Sequence, residues 1–421
     1  MRISSGTIYE SSIAAMQRQT ESLLQVQQQI ASGRRIVTPA DDPVAAARVL
    51  EVQQPQSLNE QYGVNIGAAN DSLALEESTL GSISRLLQDV RDIAVNAGNP
   101  VLSQRDRASL ANDLRGRYQE LLGLANSVDG GGQYMFSGYQ GGTRPFNESA
   151  PGTVVYNGDQ GQRLIQVSAS RRIAVSDAGV DVFQRILTGN GTFTTGASGT
   201  NTGTAVIDAG MVLDPVKWNV AGNSKDYTVR FSVNGGATTY DIIDNVSGNS
   251  LLTGVAPAAP PYPRTYANGS TIAFSQVGAP PFDFGAQVTI TGAPRNGDSF
   301  TVKTSTNQDV FKTIDNLASL LESSSGGAAL TNGLVGAQRN LDNAMDNILT
   351  IRASAGSRLK ELDSAKSSEE ELAVEYSQTL SRLQDLDYAK ASSELIQQQA
   401  NLEAAQKSFA RIAGMSLFDY L

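Results

Sequence analysis

The residues of this chain able to do chemistry are carboxylates, lysines, tyrosines and serines, because its 421 residues include neither histidine nor cysteine. Without an imidazole there is no Ser-His-Asp relay and no His-ligated zinc. Without a thiol there is no thiolate nucleophile, thiolate metal site or disulfide. Facing carboxylates remain, since two acids hydrolyse a glycosidic bond without histidine. The acids of this chain do not read that way. Asp41 and Asp42 are adjacent, and neighbours along a chain do not face each other across a substrate, so a helix start explains them. Asp385 and Asp387, beside Tyr388, read as a solvated turn, and Glu369, Glu370 and Glu371 as an exposed helix face. Asp226, Asp241, Asp244, Asp283 and Asp298 fall at turns or strand edges with no partner that spacing specifies. A glycan-binding or glycan-cleaving β module stands as an alternative on these residues, with Trp218 assigned to core packing.

No Gly-Lys dipeptide occurs, which excludes a P-loop, and no Gly-x-Gly-x-x-Gly lies between a strand and a helix. The reading is therefore not an enzyme, with no cofactor and no metal. The 32 basic and 42 acidic side chains leave a net charge of −10. Phosphate-backbone binding needs clustered Lys and Arg, and here they are dispersed, so nucleic acid is not an expected partner. No apolar run approaches ~18 residues, so membrane insertion is not expected. The opening Met1-Arg2-Ile3-Ser4-Ser5-Gly6 lacks the charged, apolar, small-residue order of a cleaved signal peptide.

The elements that would position these residues follow a helix, β, helix plan. Tyr9, Ile13, Met16, Thr20, Leu23, Gln27 and Ile30 repeat in steps of four and three, the spacing of a coiled-coil seam weakened by two polar members. Gly33 stops that helix and Thr38-Pro39-Ala40-Asp41-Asp42-Pro43 forms a loop. Asp42 is the N-cap and Pro43 the first helical residue, where a missing N–H costs nothing. After Pro55 the spacing resumes at Tyr62 and Ile66 and continues through Ala69, Leu73, Glu76, Leu80, Ile83, Leu87, Val90 and Ala94, with Glu76 its one polar member. A third helix through Leu114, Tyr118 and Leu121 ends before Gly130.

Hairpin signals follow. Val154 to Tyr156, a turn at Asn157-Gly158-Asp159, then Leu164, Ile165 and Val167 predict one hairpin. Tyr227, Val229, Phe231 and Val233 alternate, Asn234-Gly235 marks a turn, and Tyr240 and Ile242 alternate back to make a second. Helical spacing returns at Val310 to Leu321 and again through Leu334, Gln338, Leu341, Met345, Ile348, Arg352, Ala355, Leu359 and Leu362. The stretch between Gly356 and Gly414 has no glycine and would span roughly 85 Å as one helix, which requires pairing along its length. A last seam, Ala391, Leu395, Gln398, Leu402, Ala405, Phe409 and Ile412, is out of phase with the one before it. Asp385-Leu386-Asp387-Tyr388 is the expected break.

These segments predict an α+β chain: a long antiparallel coiled-coil helical rod formed by both chain ends, with an inserted mainly-β domain. Residues 1–43 plus 388–421 form a terminal coiled-coil domain, disordered in the monomer. Residues 44–185 plus 306–387 form a helical rod domain with a β hairpin, and 186–305 the inserted β domain. The terminal pair is too thin to stand alone, because ordering entropy nearly offsets its buried area. Ile13, Met16, Leu23, Ile30, Leu395, Leu402, Phe409 and Ile412 are therefore read as an assembly seam completed by neighbouring copies, with Thr20, Gln27 and Gln398 fixing register.

The stretch LQVQQQIASGRRIVTPADDPVAAA, residues 24–47, resembles the N-terminal signature of the flagellin-like family. In that signature a Ser-Gly-basic-basic turn, here with Gly33, Arg34 and Arg35, precedes a short loop and an Asp-Asp helix start at Asp41, Asp42 and Pro43. The end of the chain from Ser381, SRLQDLDYAKASSELIQQQANLEAAQKSFARIAGMSLFDYL, resembles the same family's C-terminal helix. The opening MRISSGTIY, the two-proline loop and the closing Met415-Ser416-Leu417-Phe418-Asp419-Tyr420-Leu421 resemble its hook–filament junction members more than its filament subunits. The resemblance implies export through the flagellar type III apparatus without a cleaved signal, and an extracellular place in the flagellum as a structural ring subunit. It also implies neighbouring copies, a hook-side junction protein, flagellin and an export chaperone as partners. A flagellin-type filament subunit is the alternative within the family.

Overall fold

The computed structural model describes residues 5–257, 259–324 and 326–414. The motifs at 1–4 and 415–421, and the side chain of Ile412, lie outside the described residues. Three helices come first, α1 (Ser5–Ser32), α2 (Pro43–Ala97) and α3 (Gln104–Ala125). Four short strands follow, β1 (Phe146–Ala150), β2 (Thr153–Tyr156), β3 (Leu164–Gln166) and β4 (Arg172–Ala174), and then the single-turn α4 (Gly179–Phe183). An inserted β region opens on β5 (Ile186–Leu187) and closes on β15 (Asn307–Gln308), which pair antiparallel. Helices α6 (Val310–Ser323), α7 (Gly327–Gln384) and α8 (Tyr388–Gly414) complete the described chain.

The chain divides into two compact units. One comprises Met1–Ile66, Val167–Ser170 and Asp363–Leu421, the other Gly67–Gln166 and Arg171–Leu362. In the first, α1 packs on α8, and the opening of α2 meets the end of α7 at Asn59 and Glu369. There Asn59 donates to the Glu369 carbonyl at 2.9 Å. Asp385 to Asp387 separate α7 from α8, where the change of phase placed the break, and the Asp387 carboxylate accepts the N–H groups of Ala389 and Lys390 at the start of α8.

The second unit holds two apolar cores. One gathers α2 from Leu80 to Ala97, α3, α6 and α7 around Phe136, Phe146, Phe183 and Phe311. In α7, Leu334, Leu341, Ile348, Ala355 and Leu362 are all buried, an unbroken seven-residue repeat. The other core lies in the insertion, whose elements in order are β6 (Phe193–Ala197), β7 (Val206–Ile207), β8 (Met211–Val212), α5 (Pro215–Trp218), β9 (Asp226–Asn234), β10 (Ala237–Asp244), β11 (Arg264–Thr265), β12 (Thr271–Gln276), β13 (Phe282–Thr291) and β14 (Ser299–Thr304). They form a five-stranded sheet ordered β11-β10-β9-β14-β6 and a second sheet ordered β12-β13-β7, with β8 also on β13.

Two readings are corrected. The runs around Val154 and Ile165 do not pair with each other: β2 pairs back with β1, and β3 pairs forward with β4. Asn157-Gly158-Asp159 is not a hairpin turn because its groups are spent on the loop before β1. The Asp159 carboxylate accepts the N–H of Tyr139 at 3.0 Å, and the Tyr156 hydroxyl donates to the Phe136 carbonyl at 3.0 Å. The β9–β10 turn falls one residue later than expected, at Gly235 and Gly236, both with positive φ, since Asn234 already pairs with Ala237. Helix α2 starts at Pro43 and runs through Pro55 unbroken. The carbonyl that Pro55 leaves without an N–H belongs to Glu51, an exposed residue that water can serve.

Candidate functional site

On α8, among the described side chains at the expected seam positions, Ala391 is buried and Leu395, Gln398, Leu402, Ala405 and Phe409 are half-buried. On α1, Ile13, Met16, Leu23 and Ile30 are half-buried, but Thr20 and Gln27 are exposed. Their places are taken by Gln19 and Val26, which is 8% exposed. The covered positions thus run Ile13, Met16, Gln19, Leu23, Val26 and Ile30, with two successive steps of three, a spacing tighter than the 3.5-residue repeat that locally overwinds the pair. Thr20 is satisfied locally, its hydroxyl donating to the Met16 carbonyl at 2.9 Å. The polar register contact is therefore Gln19 to Gln398, with Gln19 Nε2 donating to Gln398 Oε1 at 2.6 Å. Near the open end of the pair the Tyr9 and Phe409 rings lie 5.1 Å apart.

Two helices cannot cover each other all round. Tyr9 stays 51% exposed, Leu24 52% and Ile396 67%, and Ile13, Met16, Gln17, Thr20 and Glu21 line an open groove along α1. Among the unit's described residues the buried apolar side chains are few, and neither apolar core includes any of them.

The turn joining α1 to α2 is held by the residues of the Gly-Arg-Arg and Asp-Asp-Pro motifs. Gly33 has φ +69°, and a Cβ there would come within 2.9 Å of the Tyr388 hydroxyl, so both backbone and space call for glycine. Arg34 forms an antiparallel bridge with Asp385. The Arg35 N–H donates to the Gln384 carbonyl at 2.6 Å, and its guanidinium reaches the Leu383 carbonyl at 3.0 Å and Asp42 at 3.1 Å. Asp41 accepts from the N–H groups of Thr38 and Val37 at 2.7 and 3.0 Å, and Asp42 accepts from the Ala45 N–H at 3.0 Å, with Pro43 at the first helical position. These acids hold backbone and leave no substrate-facing pair.

The backbone N–H of Thr38 lowers the Asp41 carboxyl from its ordinary value, and that of Ala45 does the same for Asp42. A lowered folded value means that the contribution to stability is present above the ordinary aspartate value and is lost as pH falls through the folded one. Amide exchange across residues 33–45, corrected for intrinsic rates, should therefore be unchanged from pH 7 to 5. It should rise only below about pH 4.

In the insertion these aspartates are engaged by backbone and side-chain groups of the insertion itself. Asp226 accepts from the Asn245 side chain, Asp244 from the Val246 N–H, and Asp298 from the N–H groups of Thr202, Gly203 and Arg295. Asp283 pairs with Lys217 at 2.6 Å, and Asp241 accepts from the Ser250 hydroxyl at 2.6 Å. Trp218 is buried against Phe193, ring centroids 5.1 Å apart. Among the described residues no cluster of acids has metal-holding geometry, and no helix is long and apolar enough to cross a membrane.

Residues 3–141 match the bacterial flagellin N-terminal helical region and 339–421 the bacterial flagellin C-terminal helical region. The chain is 35% identical over 186 residues to flagellar hook-associated protein 3 of Salmonella typhimurium, a match covering 44% of this chain and 58% of that one. To the Escherichia coli protein of the same name it is 26% identical over 418 residues, 99% of each chain. The crystal structure of the flagellar junction protein FlgL from Legionella pneumophila aligns with a TM-score of 0.68 at 30% identity, covering 80% of this chain and 100% of that one.

Proposed function

We propose that this chain, a flagellar structural subunit belonging to the flagellin-like family of hook-associated protein 3, forms the junction between hook and filament by packing its terminal helices against those of neighbouring copies. The observation that carries this reading is the contrast between the units. The larger one closes two apolar cores, while the terminal one leaves Tyr9, Leu24 and Ile396 open on a two-helix pair. Such a pair is marginal alone, and its remaining apolar edge is satisfied when sister helices cover it.

On this reading residues 1–43 and 388–421 are the assembly domain, ordered on incorporation. Residues 44–185 with 306–387 set subunit spacing, and 186–305 is carried as the insertion. Apolar positions supply cohesion without direction, and the Gln19–Gln398 contact supplies register. The partners are neighbouring copies, a hook-side junction protein and flagellin, with an export chaperone on the C-terminal region before secretion. The place is the extracellular flagellum, reached without a cleaved signal peptide, and the role is mechanical and not enzymatic.

Electron microscopy of a strain lacking the chain tests the reading. Hooks should persist while flagellin is shed into the medium. Filaments attached in normal number would overturn it, and purified chain that grows long filaments unaided would favour a filament subunit instead.

A further inference from the structure

Glu76 sits on α2 in the apolar stripe between Leu73 and Leu80 and is only 1% exposed. Its Oε1 accepts the backbone N–H of Asp177 at 2.9 Å, while its Oε2 is buried with no hydrogen-bond partner. Asp177 lies on the strap that leads from β4 to α4. The Asp177 carboxylate is ion-paired with Arg358 of α7 and accepts from Gln162 Nε2 at 2.8 Å, and Arg358 also donates to the Ala174 carbonyl at 3.0 Å. From the residue before β3, Arg163 adds a positive charge, but its guanidinium is engaged with Gln133 at 2.8 Å and Asp129 at 3.4 Å.

The charged groups acting on Glu76 are thus one acid, Asp177, and two guanidinium groups, neither of which donates to Oε2. An ionised Glu76 would place a second negative charge beside Asp177 with one oxygen unsolvated. A neutral Glu76 keeps the bond from the Asp177 N–H and avoids that cost.

We propose that Glu76, Asp177 and Arg358 form a protonation latch that seats the 171–183 strap on α2 and α7, closed while Glu76 is neutral and loosened when it ionises. Burial first, and the Asp177 charge second, push the Glu76 carboxyl up from 4.5 to about 7. A value raised in the seated state means that the stabilisation is complete below 4.5 and is lost as pH rises through about 7. The strap continues through α4 into β5, the first strand of the insertion, so the latch governs how firmly the insertion's entry is held. At Gly179 the strap has no slack, because a Cβ would lie 2.7 Å from both the Phe136 carbonyl and the Phe146 ring.

Amide exchange of the full-length chain between pH 5.5 and 8.5, corrected for intrinsic rates, tests the latch, with α3 as the internal control for folding. Protection of 171–183 should fall by about tenfold or more across that range. Glu76→Gln keeps the acceptor oxygen without the charge and should hold the strap protected throughout. Asp177→Asn, which removes the neighbouring charge but keeps the N–H, should move the transition to lower pH. A strap whose protection does not change with pH in the natural chain, or an undiminished transition in Glu76→Gln, overturns the proposal.

Discussion

Leu402→Asp is expected to leave the larger unit folded and to remove the chain from the flagellum. Leu402 lies one heptad from both Leu395 and Phe409 on the inner face of α8, and it is only half-buried by α1 within one chain. In the free chain the new carboxylate can still turn toward water, so unfolding of the larger unit should be unchanged. On assembly the same carboxylate would be enclosed by sister helices with no counter-charge, at a cost of several kcal/mol per subunit. Ile13→Asp on α1 should act in the same way, while Gln406→Asp on the exposed side of α8 should be tolerated. Immunoblots of sheared flagella and of culture medium read the outcome. Normal incorporation and motility of the seam variants would refute the assignment of those faces.

The second large effect is on stability. Phe311 on α6 is fully buried, with the rings of Tyr118, Phe146 and Phe183 at centroid distances of 6.1, 5.4 and 5.7 Å. These rings draw α3, β1, α4 and α6 into one core. Phe311→Ala should destabilise the larger unit by about 3–5 kcal/mol, combining lost transfer energy, a cavity and the ring contacts. At this size that corresponds to a fall of roughly 10 °C in Tm. A shift of a degree or two in calorimetry would show that the cluster does not organise this core.

Much of the helical architecture could be read from spacing alone, and the departures have physical causes. The α8 seam was legible because its apolar residues keep the steps of four and three that a helix pair requires. On α1 the same rule named Thr20 and Gln27, whereas two successive steps of three after Ile13 hand the interior to Gln19 and Val26, and Thr20 is satisfied by its own helix through the Met16 carbonyl. In the β segments the strand runs were visible but their partners were not. A turn signal such as Asn157-Gly158 is local, and whether it reverses a strand depends on residues such as Tyr139 that claim its polar groups.

Glu76 illustrates the same boundary. A carboxylate in the middle of an apolar stripe is a visible anomaly, but its neighbours Asp177 and Arg358 come from segments 101 residues further on and 181 beyond that. No short-range pattern brings them together. In the α1–α2 turn the roles of Gly33, Asp42 and Pro43 were legible because caps and stops act on nearby backbone, whereas the contacts of Arg35 with Leu383 and Gln384 depend on the far end of the chain.

Everything in the assembly reading rests on terminal helices whose apolar edge is finished by other copies. Hydrogen–deuterium exchange across 5–32 and 388–414 measures this most directly, comparing the full-length chain verified as a monomer with the same chain in isolated flagella. The account predicts rapid exchange in the monomer and strong protection after incorporation, with little change in α3 and α6. Terminal helices already fully protected in the monomer, and unchanged on incorporation, would contradict it.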